Sequence, residues 1–360
     1  MRLINIDALK VGMVLHKAVV DKTGRALIQS GMMLNAPLIE KLKLLKIPFV
    51  YIEDKRTEGI KLKEGISTET YHAAYTKIKD IFVQINQKKT VKKVLPVERI
   101  SFTLLETVRT LFDDLQNNKE AISLLTNIHA HDDYLFRHSL NVTIYALAVA
   151  NELNFLKREV EMIGLGALLH DIGKIGTSIE ILGKPGRLTK EEFDEIKKHS
   201  TRGYELLRGV YTIPFTVAHC AFQHHERLDG TGYPRQLKGG EIHDFAKIIA
   251  ICDVFDAVTT NRSYRKAMLP HEALEILYAG CGTQFETKFV EVFKNTVAMY
   301  PIGVPVQLND GRMGIVSRIY KKMSERPIVR ILEEYGKEVK EPYNLDLSKE
   351  LSVMIQSCEI

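Results

Sequence analysis

The chain is poor in cysteine, in long apolar runs and in net charge. Its four cysteines, Cys220, Cys252, Cys281 and Cys358, lie far apart among 360 residues, with no C-x-x-C pair. That spacing excludes a disulfide framework and a zinc-thiolate site and fits reduced thiols in a cytosol. No stretch approaches the roughly 18 consecutive apolar residues of a membrane helix, and the opening MRLINIDALK lacks the apolar region of a signal peptide. The expectation is a cytoplasmic protein with no membrane attachment. A formal charge of +5, from 50 Lys+Arg against 45 Asp+Glu, is too dilute to argue for binding duplex nucleic acid. An apolar fraction of 45% beside 26% charged residues excludes wholesale disorder and a fibrous repeat. At about 100–200 residues per domain the length suggests two or three domains.

Histidine, by contrast, is concentrated in one place. Eight of the twelve histidines fall between His129 and His225, where an even spread would put about three. Something in that window requires imidazoles.

The organisation around it is readable from period and turn chemistry. Residues 1–56 read as a small α/β module. Ala18-Val19-Val20 and Ala26-Leu27-Ile28 form a hairpin about Asp21–Gly24, and Asn35 caps a helix whose apolar stripe is Leu38, Leu42 and Leu45, with Leu44 a further candidate. Phe49–Ile52 is a short strand, and the charged stretch Glu53–Ser67 reads as a linker. Residues 57–120 join linker to helical connector. Tyr71, Tyr75, Ile78, Phe82 and Ile85, then Ile100, Leu104, Val108, Leu111 and Leu115, form seams near the heptad period. Such seams either pack on their own domain or join two copies in a homodimer through residues 70–118. From 121 to 300 the pattern is helical, with Met162–Leu169 a buried segment and Gly173 its candidate C′ residue. Residues 301–360 switch to period two and read as a small β appendage, with a hairpin at Asn309-Asp310-Gly311 and a strand at Ile328–Ile331.

The chemistry starts at His170-Asp171, at the end of the buried helix. An imidazole and a carboxylate side by side in an apolar helix are costly to bury without partners. A metal such as iron, manganese or zinc would serve both; so would a purely structural His–Asp hydrogen bond. The pair has company. His138 shares a helical face with Val142, Tyr145 and Val149, His199 follows the charged helix Glu191–Lys198, His224-His225 closes a helix that begins near Pro214, and Asp253 and Asp256 sit three apart on one helix. The nitrogen and oxygen donors suffice for two metals.

His170-Asp171 with Gly173-Lys174, the run HHERLDGTGYP from His224 to Pro234, and DVFDAVTTNRSYRKA from Asp253 to Ala267 together resemble an HD-GYP domain, a branch of the HD phosphohydrolase superfamily. The resemblance covers about half the chain, residues 121–300. It implies a mainly α fold, an HD-domain helical bundle carrying the small α/β N-terminal module and the small β C-terminal appendage. It implies hydrolysis of cyclic di-GMP to pGpG, with GMP as a further product left open, by a metal-bridging hydroxide that attacks the phosphodiester. The ligands it implies are His138, His170, Asp171, His199, His224, His225 and Asp253, with Asp171 bridging. Lys174 would contact a phosphate, and Arg262 and Arg265 would hold the substrate's phosphate or guanine. Some members bind a third metal through a carboxylate four residues before the first histidine ligand; that position is Tyr134 here, with Asp132 and Asp133 nearby. Two divalent ions are therefore expected, iron or manganese before zinc.

Lys174 also fits a helix C-terminal cation, and Arg262 and Arg265 a solvated face. Asp229–Pro234 reads as a tight loop, with Glu226 and Arg227 candidates to orient ligand histidines. His129 and His131 read as surface or loop residues and His219 as a packing residue. Other readings stay open: an HD hydrolase of another cyclic nucleotide or dinucleotide, or a weakly active adaptor that binds nucleotide or a GGDEF-type signalling partner. No GGDEF or EAL module accompanies the domain, and residues 1–56 read as a regulatory module.

Overall fold

The computed structural model describes the chain except residues 21–25, 46, 48, 62–64, 89–96, 118–133, 185, 261–266, 321–322 and 359–360. The described residues group by contact into two compact units. One joins Met1–Thr68 with Val297–Ile360; the other joins Glu69–Asn117 with the helices up to Thr296. The two ends of the chain, read separately in the sequence, thus meet in one unit.

In that unit β1 (Arg2–Asn5) pairs antiparallel with β4 (Phe49–Ile52), and β2 (Val19–Val20) with β3 (Ala26–Ile28). The turn Asp21–Gly24 lies outside the described residues. Asn35 caps α1 (Ala36–Leu44), its side chain accepting from the Leu38 N–H at 3.0 Å. Leu42 and Ile39 face the core, whereas Leu44 is 81% exposed, because the apolar stripe is only one helix face wide. A five-stranded antiparallel sheet follows in the order β8-β7-β6-β5-β9. Its strands are β5 (Pro305–Leu308), β6 (Met313–Arg318), β7 (Ile328–Glu334), β8 (Lys337–Asp346) and β9 (Ile355–Cys358). Leu3 and Tyr51 share one apolar core with Val306, Ile315, Val329 and Ile331. The Tyr51 hydroxyl donates to the Ile302 carbonyl at 2.8 Å, and the Leu3 N–H donates to Gly303 O at 2.7 Å. Ile60, within the stretch read as a linker, is buried in that same core.

The helical unit contains α2 (Thr68–Lys88), α3 (Val97–Asn117), α4 (Tyr134–Glu152), α5 (Lys157–Leu169), α6 (Ile179–Leu182), α7 (Lys190–Arg208), α8 (Phe215–Gln223), α9 (Asp244–Thr259), α10 (Pro270–Ala279) and α11 (Thr287–Thr296). The α2 seam from Tyr71 to Ile85 is buried, and so are Ile100, Leu104, Val108 and Leu111 of α3, which packs on α4 and α5. Burial of these seams therefore calls for no second copy. Helix α5 lies at the centre, against α3, α4, α8 and α9. A Cβ at Gly166 would come within 2.6 Å of the Cys220 sulfur, so α5 and α8 approach at a separation only glycine permits. Among the described residues no helix is long and apolar enough to cross a membrane.

Candidate metal centre

Five segments converge on Asp171. Helix α4 contributes His138, the end of α5 contributes His170 and Asp171, α7 contributes His199, the end of α8 contributes His224 and His225, and α9 contributes Asp253. His199 lies inside α7, which runs on to Arg208 rather than stopping at Lys198. The capping box of Thr189 and Glu192 starts that helix, and its buried face carries His199, Ser200, Gly203 and Leu207. Gly173 does not end α5 as a left-handed C′ residue. It sits in the 3₁₀ turn Ile172–Gly176, where the missing side chain lets that turn lie directly on the α7 backbone.

Asp171 Oδ1 lies 3.4 Å from His199 Nε2 and 3.8 Å from His224 Nε2. Its Oδ2 is 3.5 Å from His170 Nε2 and 3.6 Å from His138 Nε2, and it accepts from the Lys174 ammonium. Asp253 Oδ1 is 3.0 Å from His138 Nε2, and Asp253 Oδ2 is 3.8 Å from His225 Nδ1. Two groups of donor atoms result, each within a 4.8 Å span. One comprises His138, His170 and Asp171, the other Asp171, His199, His224 and His225. All seven sequence-selected residues are brought together around the shared carboxylate.

Three of the histidines are held with their Nε2 atoms turned inward. His170 Nδ1 bonds Ala167 O at 2.6 Å, His199 Nδ1 bonds Ile196 O at 2.6 Å, and His224 Nδ1 bonds Cys220 O at 3.1 Å. A carbonyl can only accept, so each Nδ1 carries the proton and each Nε2 offers a lone pair. His138 is oriented instead by Asp256, whose Oδ2 lies 2.7 Å from Nδ1.

Electrostatics sort these groups into the forms a metal binds. Burial pushes His199 down to about 4 and His225 to about 3, and it lowers His170 and His224 as well. Burial opposes ionisation of Asp171 and Asp253, yet both stay well below the usual carboxylate range. Lys174 and the surrounding histidines outweigh burial for Asp171, and His138 does so for Asp253. His138 is the exception among the imidazoles. Burial would lower it, but Asp253 and Asp256 on its two nitrogens hold it up at about 9.

His170 Nε2 and Asp171 Oδ1 are buried without a hydrogen-bond partner. Leaving such atoms unmatched costs on the order of 1–3 kcal/mol each, a penalty that a cation between them removes. With His170, His199, His224 and His225 neutral and both carboxylates ionised, this donor set fits a divalent metal.

Around the centre, Tyr233 lies over His225 with ring centroids 4.6 Å apart and edge-on to His199 at 6.4 Å. The buried Glu226 carboxylate accepts from the N–H groups of Arg235 at 2.7 Å and Leu237 at 3.0 Å. Glu226 thus folds the loop back on itself instead of orienting a histidine. His219 packs among Tyr204, Phe215 and Phe222. Arg262, Arg265, His129, His131, Asp132, Asp133 and the Tyr134 side chain lie outside the described residues. Sequence reasoning gave Asn141 no role, read Tyr71 as a seam residue and Tyr233 as part of the Asp229–Pro234 loop, and set Asp256 beside Asp253 without a separate task. For Asp256 the signal was present, since it shares a helix face with Asp253; for the others, spacing carried none.

The HD domain family model matches residues 120–288, and a model described as a KOW domain associated with HD domain matches residues 305–359. A cyclic di-GMP phosphodiesterase of Pseudomonas aeruginosa, PA4108, is 35% identical over 211 residues, covering 59% of this chain and 51% of that protein. The cyclic di-GMP phosphodiesterase response regulator RpfG of Xanthomonas campestris pv. campestris is 43% identical over 144 residues, covering 40% of this chain and 38% of its own. The 3'3'-cGAMP-specific phosphodiesterase 3 of Vibrio cholerae is 36% identical over 175 residues, covering 48% and 38%. The chain thus spans between 38% and 51% of the length of these relatives. Among solved structures, the HDG"Y"P protein Bd1817 from Bdellovibrio bacteriovorus superposes with a TM-score of 0.50 at 15% identity, over 81% of this chain and 98% of that one, a likeness of fold. Residues 120–288 thus match the HD domain family over just under half of the chain. With Gly232-Tyr233-Pro234 following the histidine pair, that segment is similar to the HD-GYP type.

Proposed function

We propose that this protein is a metal-dependent phosphodiesterase that hydrolyses cyclic di-GMP to pGpG. The observation that carries the reading is Asp171, a buried carboxylate shared by two groups of inward-facing imidazoles and left with an unpartnered oxygen. Two divalent ions would be held there, one by His138, His170 and Asp253, the other by His199, His224 and His225, with Asp171 common to both. Iron or manganese suits these ligands, and availability selects between them and zinc. Such ions supply Lewis-acid polarisation of phosphoryl oxygens and a water acidic enough to ionise near neutral pH.

The chain's own residues do the remaining work. Lys174, anchored on Asp171 and partly exposed, is the cation available to a bound phosphodiester and offsets charge that builds on its oxygens. Arg262 and Arg265, three apart, would present two guanidinium forks to the substrate's second phosphate or a guanine edge. The neutral imidazoles and the ring of Tyr233 wall the site with surfaces that carry no competing negative charge. The catalytic work falls to residues 121–300, and the segments on either side take a regulatory part.

A second reading is favoured by the relatives named as 3'3'-cGAMP-specific enzymes at 36% identity. One assay addresses both. Protein loaded anaerobically with Fe²⁺ or with Mn²⁺ is offered cyclic di-GMP and 3'3'-cGAMP in parallel, and products are resolved by chromatography, with Asp171→Ala as control. Linear dinucleotide from cyclic di-GMP that disappears in the control is the expected result. Turnover of 3'3'-cGAMP alone would move the substrate assignment. No product from either, with metal bound, would overturn the enzymatic reading.

A further inference from the structure

Helix α2 lies outside the matched segment 120–288, yet it reaches the metal centre through a chain of buried hydrogen bonds. The Tyr71 hydroxyl donates to Asn141 Oδ1 at 2.9 Å, and Asn141 Nδ2 donates to Asp256 Oδ1 at 2.8 Å. Asp256 Oδ2 then lies 2.7 Å from His138 Nδ1, whose Nε2 faces Asp171 and Asp253. Tyr71 is 1% exposed, Asn141 6% and Asp256 2%, so water does not compete at any link. Phe82, three turns further along α2, meets Phe136 of α4 edge-on at 5.5 Å, which fixes α2 against the helix that carries both Asn141 and His138.

We infer that Tyr71 is a positioning residue for the metal centre, acting through Asn141 and Asp256 on His138. The argument is one of hydrogen-bond polarity. Asn141 can present either its oxygen or its NH₂ to Asp256, and only the NH₂ is compatible with a carboxylate. A phenol donor on the other side holds the amide oxygen away from Asp256. Without that donor the amide is free to turn, setting oxygen against oxygen, and Asp256 loses the bond that aims its second oxygen at His138. Outer partners of this kind orient a ligand and tune its basicity. Because Tyr71 belongs to α2, the centre's affinity for metal depends on where that helix sits.

This inference rests on the metal-site reading above, and the test separates the two. Mn²⁺ binding to the full chain is measured by the electron paramagnetic resonance of the free ion, alongside thermal unfolding of the metal-free protein. The set comprises wild type, Tyr71→Phe, Asp256→Asn, the double variant, and Ile78→Val as a buried α2 substitution with no polar link. Asp256→Asn is expected to weaken Mn²⁺ binding by about tenfold or more and Tyr71→Phe by about threefold to tenfold, the weaker effect following from its greater distance. Ile78→Val leaves affinity unchanged. The Tyr71→Phe effect vanishes in the Asp256→Asn background, because the two act in series. Wild-type protein that binds Mn²⁺ while Tyr71→Phe binds it equally well, or additive losses in the double variant, would overturn the inference alone. Wild-type protein that binds no metal would overturn both it and the reading beneath it.

Discussion

Placing an alanine at Gly173 tests whether the site depends on direct backbone contact between the turn after Asp171 and helix α7. A Cβ there would lie 2.6 Å from Gly203 N and closer still to His199 O, where ordinary contact begins at 3.4 Å. Both obstacles are backbone atoms of a helix, so the shortfall of about 0.8 Å or more cannot be taken up by a side-chain rotation. The turn and α7 must separate, moving Asp171 away from His199. Overpacking of this kind costs about 1–3 kcal/mol, and the rigidity of both partners puts Gly173→Ala at the upper end. For a unit of this size, about 3 kcal/mol corresponds to a fall in Tm of roughly 6–12 °C. Gly240→Ala is the matched control, because a Cβ there meets nothing within 4 Å, and its Tm is expected to stay at the wild-type value. Circular dichroism melts of the three proteins decide the matter. A Gly173→Ala protein melting within a degree or so of wild type would refute the close-approach argument.

One further substitution and one labelling experiment test the burial of polar groups. Glu226→Gln keeps one acceptor oxygen for two backbone N–H donors, so it is expected to destabilise the loop by about 1–3 kcal/mol. Faster hydrogen exchange at Arg235 and Leu237 would report the loss, and unchanged protection would rule it out. Burial pushes the Cys220 thiol up to about 12 and Cys252 well above its ordinary value, whereas Cys281 and Cys358 are only partly covered. Cys281 and Cys358 are therefore expected to react in the native protein at pH 8, while Cys220 and Cys252 remain neutral thiols that react only after unfolding. Native protein that gives four fast equivalents with a thiol reagent at pH 8 would contradict this.

Much of the candidate site was legible in the sequence because its residues sit at helix ends or on inward helix faces, where local spacing reports orientation. His170-Asp171 ends α5, His224-His225 ends α8, and Asp253 follows the 3.6-residue period of α9. Each is a local fact. The length of α7 past Lys198 was not legible, because the polar run Lys198 to Arg202 masks the buried face that Gly203 and Leu207 continue. Gly173 misled for a related reason. A glycine after a helix ordinarily marks a left-handed cap, and only the neighbouring helix reveals that its purpose is proximity.

By itself the sequence determined the helical and strand periods, the capping of α1 by Asn35, and the types and order of the seven site residues. These depend on near neighbours along the chain. Tertiary structure alone decided that Leu3 and Tyr51 share a core with the strands after Val304, that the α2 and α3 seams are buried within the chain, and that Tyr71, Asn141 and Asp256 line up behind His138. The last chain links residues 70 and 115 positions apart. No periodicity specifies such contacts, because they arise only when helix packing brings polar groups together in a space where no water can serve them.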